Sequence, residues 1–164
     1  MGAIIGFELA RRLRAYCNII PSHLFVSGCI APHQHQARSR TIHQLPTAEF
    51  IEELHRLNGT HKEILQNQEL MALLLPTLRA DFELIETYTY VPNDTLRCPI
   101  TAFGGLEDEH ISKERLAAWS EYSQSSFRLH MLSGDHFFIN TQRTLLLRIL
   151  SDSLAKMTGE QLWR

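Results

Sequence analysis

The ten residues Pro99-Ile-Thr-Ala-Phe-Gly-Gly-Leu-Glu-Asp108 decide the fold. The apolar run over 99–103 is too short for a helix and reads as a buried strand, and the paired glycines close it at a turn. Glu107 and Asp108 then stand just past the strand's carboxyl end. Downstream, Ser112 can cap a helix carrying Leu116 and Trp119. Phe127, Leu129 and Met131 alternate with polar neighbours as the next strand, over 127–132. It runs into Ser133-Gly-Asp-His136. A last helix over 141–157 puts Leu146, Ile149, Leu150 and Leu154 on one face. Upstream, His23-Leu-Phe-Val26, ended by Ser27-Gly28, reads as a third buried strand. Strands alternating with helices predict an α/β chain whose strands, near 23–27, 99–103 and 127–132, form a parallel sheet flanked by helices.

The remaining segments fill in the helices. Ile5, Leu9, Leu13 and Tyr16 recur at helical spacing, so 3–16 reads as an amphipathic helix. Its Arg11-Arg-Leu-Arg14 cluster reads most simply as a solvated face. Residues 31–40 read as a loop. Thr47 can cap a helix running to Leu57, with Asn58-Gly59 as its stop. The stretch 68–88 is strongly apolar around Leu70-Met-Ala-Leu-Leu-Leu75, and Pro76 is expected to separate two helices there. Val91-Pro92-Asn93-Asp94 reads as a turn.

Composition narrows the function. With 164 residues, 44% hydrophobic and 21% charged, the chain can build a real core. A net charge of −2 gives no electrostatic case for nucleic acid or an anionic membrane surface. No apolar stretch is long enough to span a bilayer, and Glu8 interrupts the early apolar run where a signal peptide would need it unbroken. Three widely spaced cysteines (Cys17, Cys29, Cys98) read as thiols in a reducing cytoplasm. His33-Gln-His35 lacks further ligands at set spacing, so a solvated loop is the better reading and no metal is expected.

An open parallel sheet places its chemistry at the carboxyl ends of its strands. Here an acidic loop follows one strand and His136 follows the next, which is the order a Ser…Asp…His triad needs. Glu107, Glu109 and Asp135 compete with Asp108 as the acid. Asp135 adjoins His136 and reads as a turn residue.

The runs Phe25-Val-Ser-Gly28, Leu75-Pro-Thr-Leu-Arg-Ala-Asp-Phe82, Cys98-Pro-Ile100, Phe103-Gly-Gly-Leu-Glu-Asp108 and Gly134-Asp-His-Phe-Phe-Ile139 together resemble the type II thioesterases. These are stand-alone α/β-hydrolases that accompany non-ribosomal peptide and polyketide synthases. The resemblance implies that Asp108 is the triad acid and His136 the base. It implies a helical lid insertion over about 45–90, in which Leu70, Leu73, Leu74 and Leu75 wall an acyl pocket. Arg79 and Asp81 read as structural lid residues as readily as site residues.

The family's nucleophile sits in a Gly-x-Ser-x-Gly elbow that opens a helix. Met1 and Gly2 match the two residues after that serine, so the N–H of Met1 corresponds to an oxyanion-hole donor. The expectation is therefore a truncated α/β-hydrolase domain over 1–164, lacking the serine and the first strands, and inactive by itself. The implied partners are an acyl or peptidyl carrier protein and an acyl thioester, with no cofactor and a monomeric state. The competing expectation is a non-catalytic fragment or a carrier-protein-binding remnant.

Overall fold

The computed structural model describes residues 1–35, 41–57, 59–92 and 95–159. Strands β1 (Leu24–Ser27), β2 (Ile100–Gly105) and β3 (Phe127–Leu132) form one sheet in the order β1-β2-β3. Both pairings are parallel, with Leu24 beside Ile100 and Ile100 beside Phe127. Every residue of β2 is buried, as a central strand covered on both faces must be. Its one buried hydroxyl, that of Thr101, is satisfied by His23 Nε2 at 2.9 Å.

Side-chain alternation divides the layers. Helix α1 (Gly2–Cys17) approaches Leu24 through Gly6. The short α5 (Lys113–Ala117) meets the same face at Gly104 and Met131 through Leu116. On the other face Phe103, Leu132 and Phe25 pack against Phe138 of α6 (Phe138–Thr141) and against Leu146, Ile149 and Leu150 of α7 (Arg143–Thr158). Leu154, assigned to that stripe by spacing, is exposed. Ser112 caps α5 by accepting from the Arg115 N–H. The 3-10 turn that follows buries Trp119, whose indole N–H donates to the Cys29 carbonyl at 2.8 Å.

Several local readings are corrected. The buried stripe of α1 is Ile4, Phe7, Ala10 and Arg11, while Ile5, Leu9 and Tyr16 are exposed. Both faces of this helix carry apolar residues, and the sheet takes the one bearing Phe7, whose ring stands edge-on to Trp119 and Tyr122. The arginine cluster is a solvated face only at Arg12. Arg11 is buried, bonded to Glu8 at 2.7 Å and lying over Phe7, and Arg14 donates to the Thr95 carbonyl. Their long apolar stems let them cover core while the charge finds a partner. Third, β2 runs through Gly104 and Gly105 rather than stopping at them. A Cβ at Gly104 would overlap Leu116, and one at Gly105 would overlap the backbone oxygens of Gly134 and Asp135. The pair allows close approach rather than a turn.

Last, Pro76 does not divide two helices. Helix α4 (Gln68–Glu86) continues through it. An interior proline costs a helix roughly 3 kcal/mol. Here Met71 is buried, and Leu75, Leu78 and Phe82 pack with it on one core on either side of the proline, which outweighs that cost. The break falls earlier, at Asn67, whose side chain accepts from the Leu70 N–H and caps α4 after the short α3 (Lys62–Gln66). Thr47 is the first residue of α2 (Thr47–Leu57) rather than its cap, and the first helical bond runs from the Phe50 N–H to the Pro46 carbonyl. The expected stop at Asn58, the turn at Asn93-Asp94 and the end of the 31–40 loop lie outside the described residues.

The chain divides into two compact units. One comprises Gly2–Gln34 and the described residues from Pro92 onward, and the other is His35–Val91, with Met1 grouped beside it. The second unit holds α2, α3 and α4 around Phe50, Leu54, Leu65 and Met71. Arg79 clamps it, donating to the His43 carbonyl at 2.6 Å and lying 4.5 Å over the Phe50 ring. No described helix is long and apolar enough to cross a membrane.

Candidate active site

The loops after β2 and β3 are held together by backbone bonds. Leu106 N–H donates to the Leu132 carbonyl at 2.8 Å, and Glu107 N–H donates to the Gly134 carbonyl at 3.0 Å. Gly134 has φ +114, a conformation open to glycine. With Gly105 lying against the same peptide, the two strand-end loops behave as one surface. That surface presents Asp108 to His136.

His136 Nδ1 lies 2.7 Å from Asp108 Oδ2. The Asp108 side chain is 1% exposed and that of His136 is 39% exposed. Asp108 Oδ1 accepts from the N–H groups of His110 at 2.9 Å and Ile111 at 3.1 Å. One carboxylate oxygen is thus occupied by backbone, and the other is aimed at the imidazole. A carboxylate held this way fixes the Nδ1–H tautomer and leaves Nε2 for proton transfer. The Phe137 ring stands edge-on to the imidazole.

The competing carboxylates go elsewhere. Asp135 Oδ1 accepts from the Phe137 N–H at 2.8 Å, as a turn residue does, and Glu107 is exposed. His33 is taken up by the Tyr122 hydroxyl, 2.7 Å from Nδ1, and no cluster of metal-binding side chains occurs among the described residues. The three cysteines form no disulfide; Cys17 is exposed, and burial pushes the Cys29 and Cys98 thiols up. Met1 stands exposed just before α1.

Leu70, Leu73, Leu74 and Leu75 all lie on α4 in the second unit. Leu70 and Leu73 are exposed, Leu74 is half-buried, and Leu75 packs on that unit's own core.

Two features escaped the sequence. Gly28, noted only as a strand end, faces the imidazole of His136. Within the second unit, His43 Nδ1 lies 2.6 Å from Glu86 Oε2, and Glu86 also accepts from the backbone N–H groups of Ile42 and His43. No motif announces that pair; its members are 43 residues apart.

An acid and a histidine at the carboxyl ends of adjacent parallel strands, in that chain order, are the placement that the α/β-hydrolases use for two members of their triad. Comparison with known proteins narrows this. The thioesterase domain family matches residues 1–154, and the chain belongs to that family. It is 45% identical over 157 residues to the linear gramicidin dehydrogenase LgrE of Brevibacillus parabrevis, covering 94% of this chain and 59% of that protein. It is 44% identical over 154 residues to the gramicidin S biosynthesis protein GrsT of Aneurinibacillus migulanus, covering 94% of this chain and 60% of that protein. Among solved structures, the type II thioesterase BorB from the borrelidin biosynthetic cluster superposes with a TM-score of 0.82 at 35% identity, over 92% of this chain and 60% of that one. The chain thus spans about 60% of the length of these relatives. The dehydrogenase in the first relative's name is a redox activity, whereas the family matched is a thioesterase domain.

Proposed function

We propose that this chain supplies the acid and the base of a serine-type hydrolase that cleaves acyl or peptidyl thioesters from the phosphopantetheine arm of carrier proteins. The observation that carries the reading is the 2.7 Å contact between Asp108 and His136 on locked strand-end loops. A serine in the position preceding Met1 in the family's pattern attacks the thioester carbonyl, and His136 Nε2 takes its proton. Collapse of the tetrahedral intermediate breaks the C–S bond, and the departing thiolate takes the proton from Nε2. Water then repeats the sequence on the acyl-serine. Asp108 holds the tautomer and stabilises the imidazolium throughout. The N–H of Met1 serves as one oxyanion donor. Residues 45–90 act as the lid, with the leucines of α4 as its apolar wall. The protein is read as monomeric and cytoplasmic.

The second reading is a non-catalytic fragment that binds a carrier protein, and what occupies the nucleophile's position separates the two. The test is hydrolysis of an acyl-pantetheine thioester by the 164-residue chain and by a version extended upstream through a Gly-x-Ser segment. The expected outcome is no turnover by the former and clear turnover by the latter. His136→Ala in the extended protein should then lower kcat by roughly 10⁴- to 10⁶-fold. Turnover by the 164-residue chain that vanishes in its own His136→Ala variant would mean that another nucleophile serves. An inert extended protein that still binds a carrier protein would favour the second reading. Faster cleavage of an oxyester than of the matched thioester would move the substrate class to ordinary esters.

A further inference from the structure

Gly28 follows β1 in a left-handed conformation, with φ +54. Its N–H donates to the Phe103 carbonyl at 3.0 Å, which ties its backbone to the central strand. A Cβ built on Gly28 would lie 3.1 Å from Cε1 of His136, 3.5 Å from Nε2 and 3.6 Å from Nδ1. Carbon atoms pack favourably at roughly 3.5–4.0 Å, so a methyl there presses on the ring edge between its two nitrogens.

What gives way can be read from the surroundings. The Gly28 backbone is held by the strand. The Asp108 carboxylate is buried and fixed by two backbone N–H groups. The imidazole, 39% exposed, is the group with room to move. Any side chain at Gly28 is therefore relieved by displacing the ring. We propose that Gly28 is a positioning residue for His136: its missing side chain lets the imidazole keep its short, 2.7 Å approach to Asp108, which a Cβ would lengthen by a few tenths of an ångström. The inference rests on reading Asp108 and His136 as the acid–base pair.

A glycine at positive φ could instead be needed for its backbone alone, and two substitutions separate these roles. Asparagine tolerates the left-handed region and alanine does so poorly, but both carry a Cβ. The readout is the His136 Nδ1 proton, followed by NMR in the 164-residue chain alongside the backbone amides of β2 and β3. The native chain should show a hydrogen-bonded Nδ1 proton downfield of the amides, and Asp108→Asn should abolish it. Gly28→Ala and Gly28→Asn should both shift or abolish it while the strand amides stay in place. If Gly28→Ala fails to fold, Gly28→Asn decides. A native signal in Gly28→Asn would overturn the positioning role and leave a backbone role only. A signal that survives Asp108→Asn, or one absent from the native chain, would overturn the acid–base pair and the inference with it.

Discussion

Glu86 shows how much of a small helical unit can hang on one carboxylate. Its side chain is 2% exposed and accepts three hydrogen bonds, from Ile42 N–H, His43 N–H and His43 Nδ1. Burial by itself pushes the carboxyl up, but the bonds from His43 and the two backbone donors outweigh it and hold the group below its ordinary value. A carboxylate lowered by folding adds stability that is complete above its unfolded pKa and is lost as pH falls through the lowered folded value. Glu86→Gln keeps one acceptor oxygen but sets an amide N–H₂ against backbone donors. It should cost about 2 kcal/mol near neutrality, read by urea unfolding, with the gap to the native chain closing in acid. A gap that widens in acid would mean the carboxyl is raised instead. Such pairs are invisible in sequence because the partners meet only in the folded unit. Gly28 was legible as a strand end, but its approach to His136 was not, because that neighbour is distant in sequence. Asp108 and His136, by contrast, were legible because chain order and strand ends place them.

At the scale of elements, the strands could be read because two are short apolar runs and the third alternates apolar with polar residues. The helices were harder. In α1 apolar residues occupy both faces, so periodicity finds the helix without choosing between Phe7 and Leu9. In α4 a local rule was overruled by packing on both sides of Pro76. That proline is exposed, so replacing it costs no packing. Pro76→Ala should restore a bond from its N–H to the Ala72 carbonyl and stabilise the second unit by about 1–3 kcal/mol. Thermal unfolding followed by circular dichroism measures it, and a lowered Tm would mean that the helix depends on the proline.

Across the whole molecule, the surface left open is as informative as the core. Leu9 is 54% exposed, and Ile5, Tyr16, Ile19 and Ile20 are exposed near it in sequence. Among the described residues β1 pairs with β2 alone, so its other edge carries unpaired backbone groups. Leu9→Glu should raise the solubility limit of the 164-residue chain while changing its stability by less than about 0.5 kcal/mol. Phe7→Ala, on the buried face, should cost about 3–5 kcal/mol. Equal losses from both would mean that the helix faces are misassigned. The order of the strands also sets an order of events. Asp108 and His136 are 28 residues apart, whereas His23 and Thr101, which join β1 to β2, are 78 apart with the helical unit between them. Closing the longer loop costs about 0.9 kcal/mol more in chain entropy. On chain entropy alone, bringing the histidine to its acid is thus the easier closure, and bringing Gly28 to the imidazole the harder one.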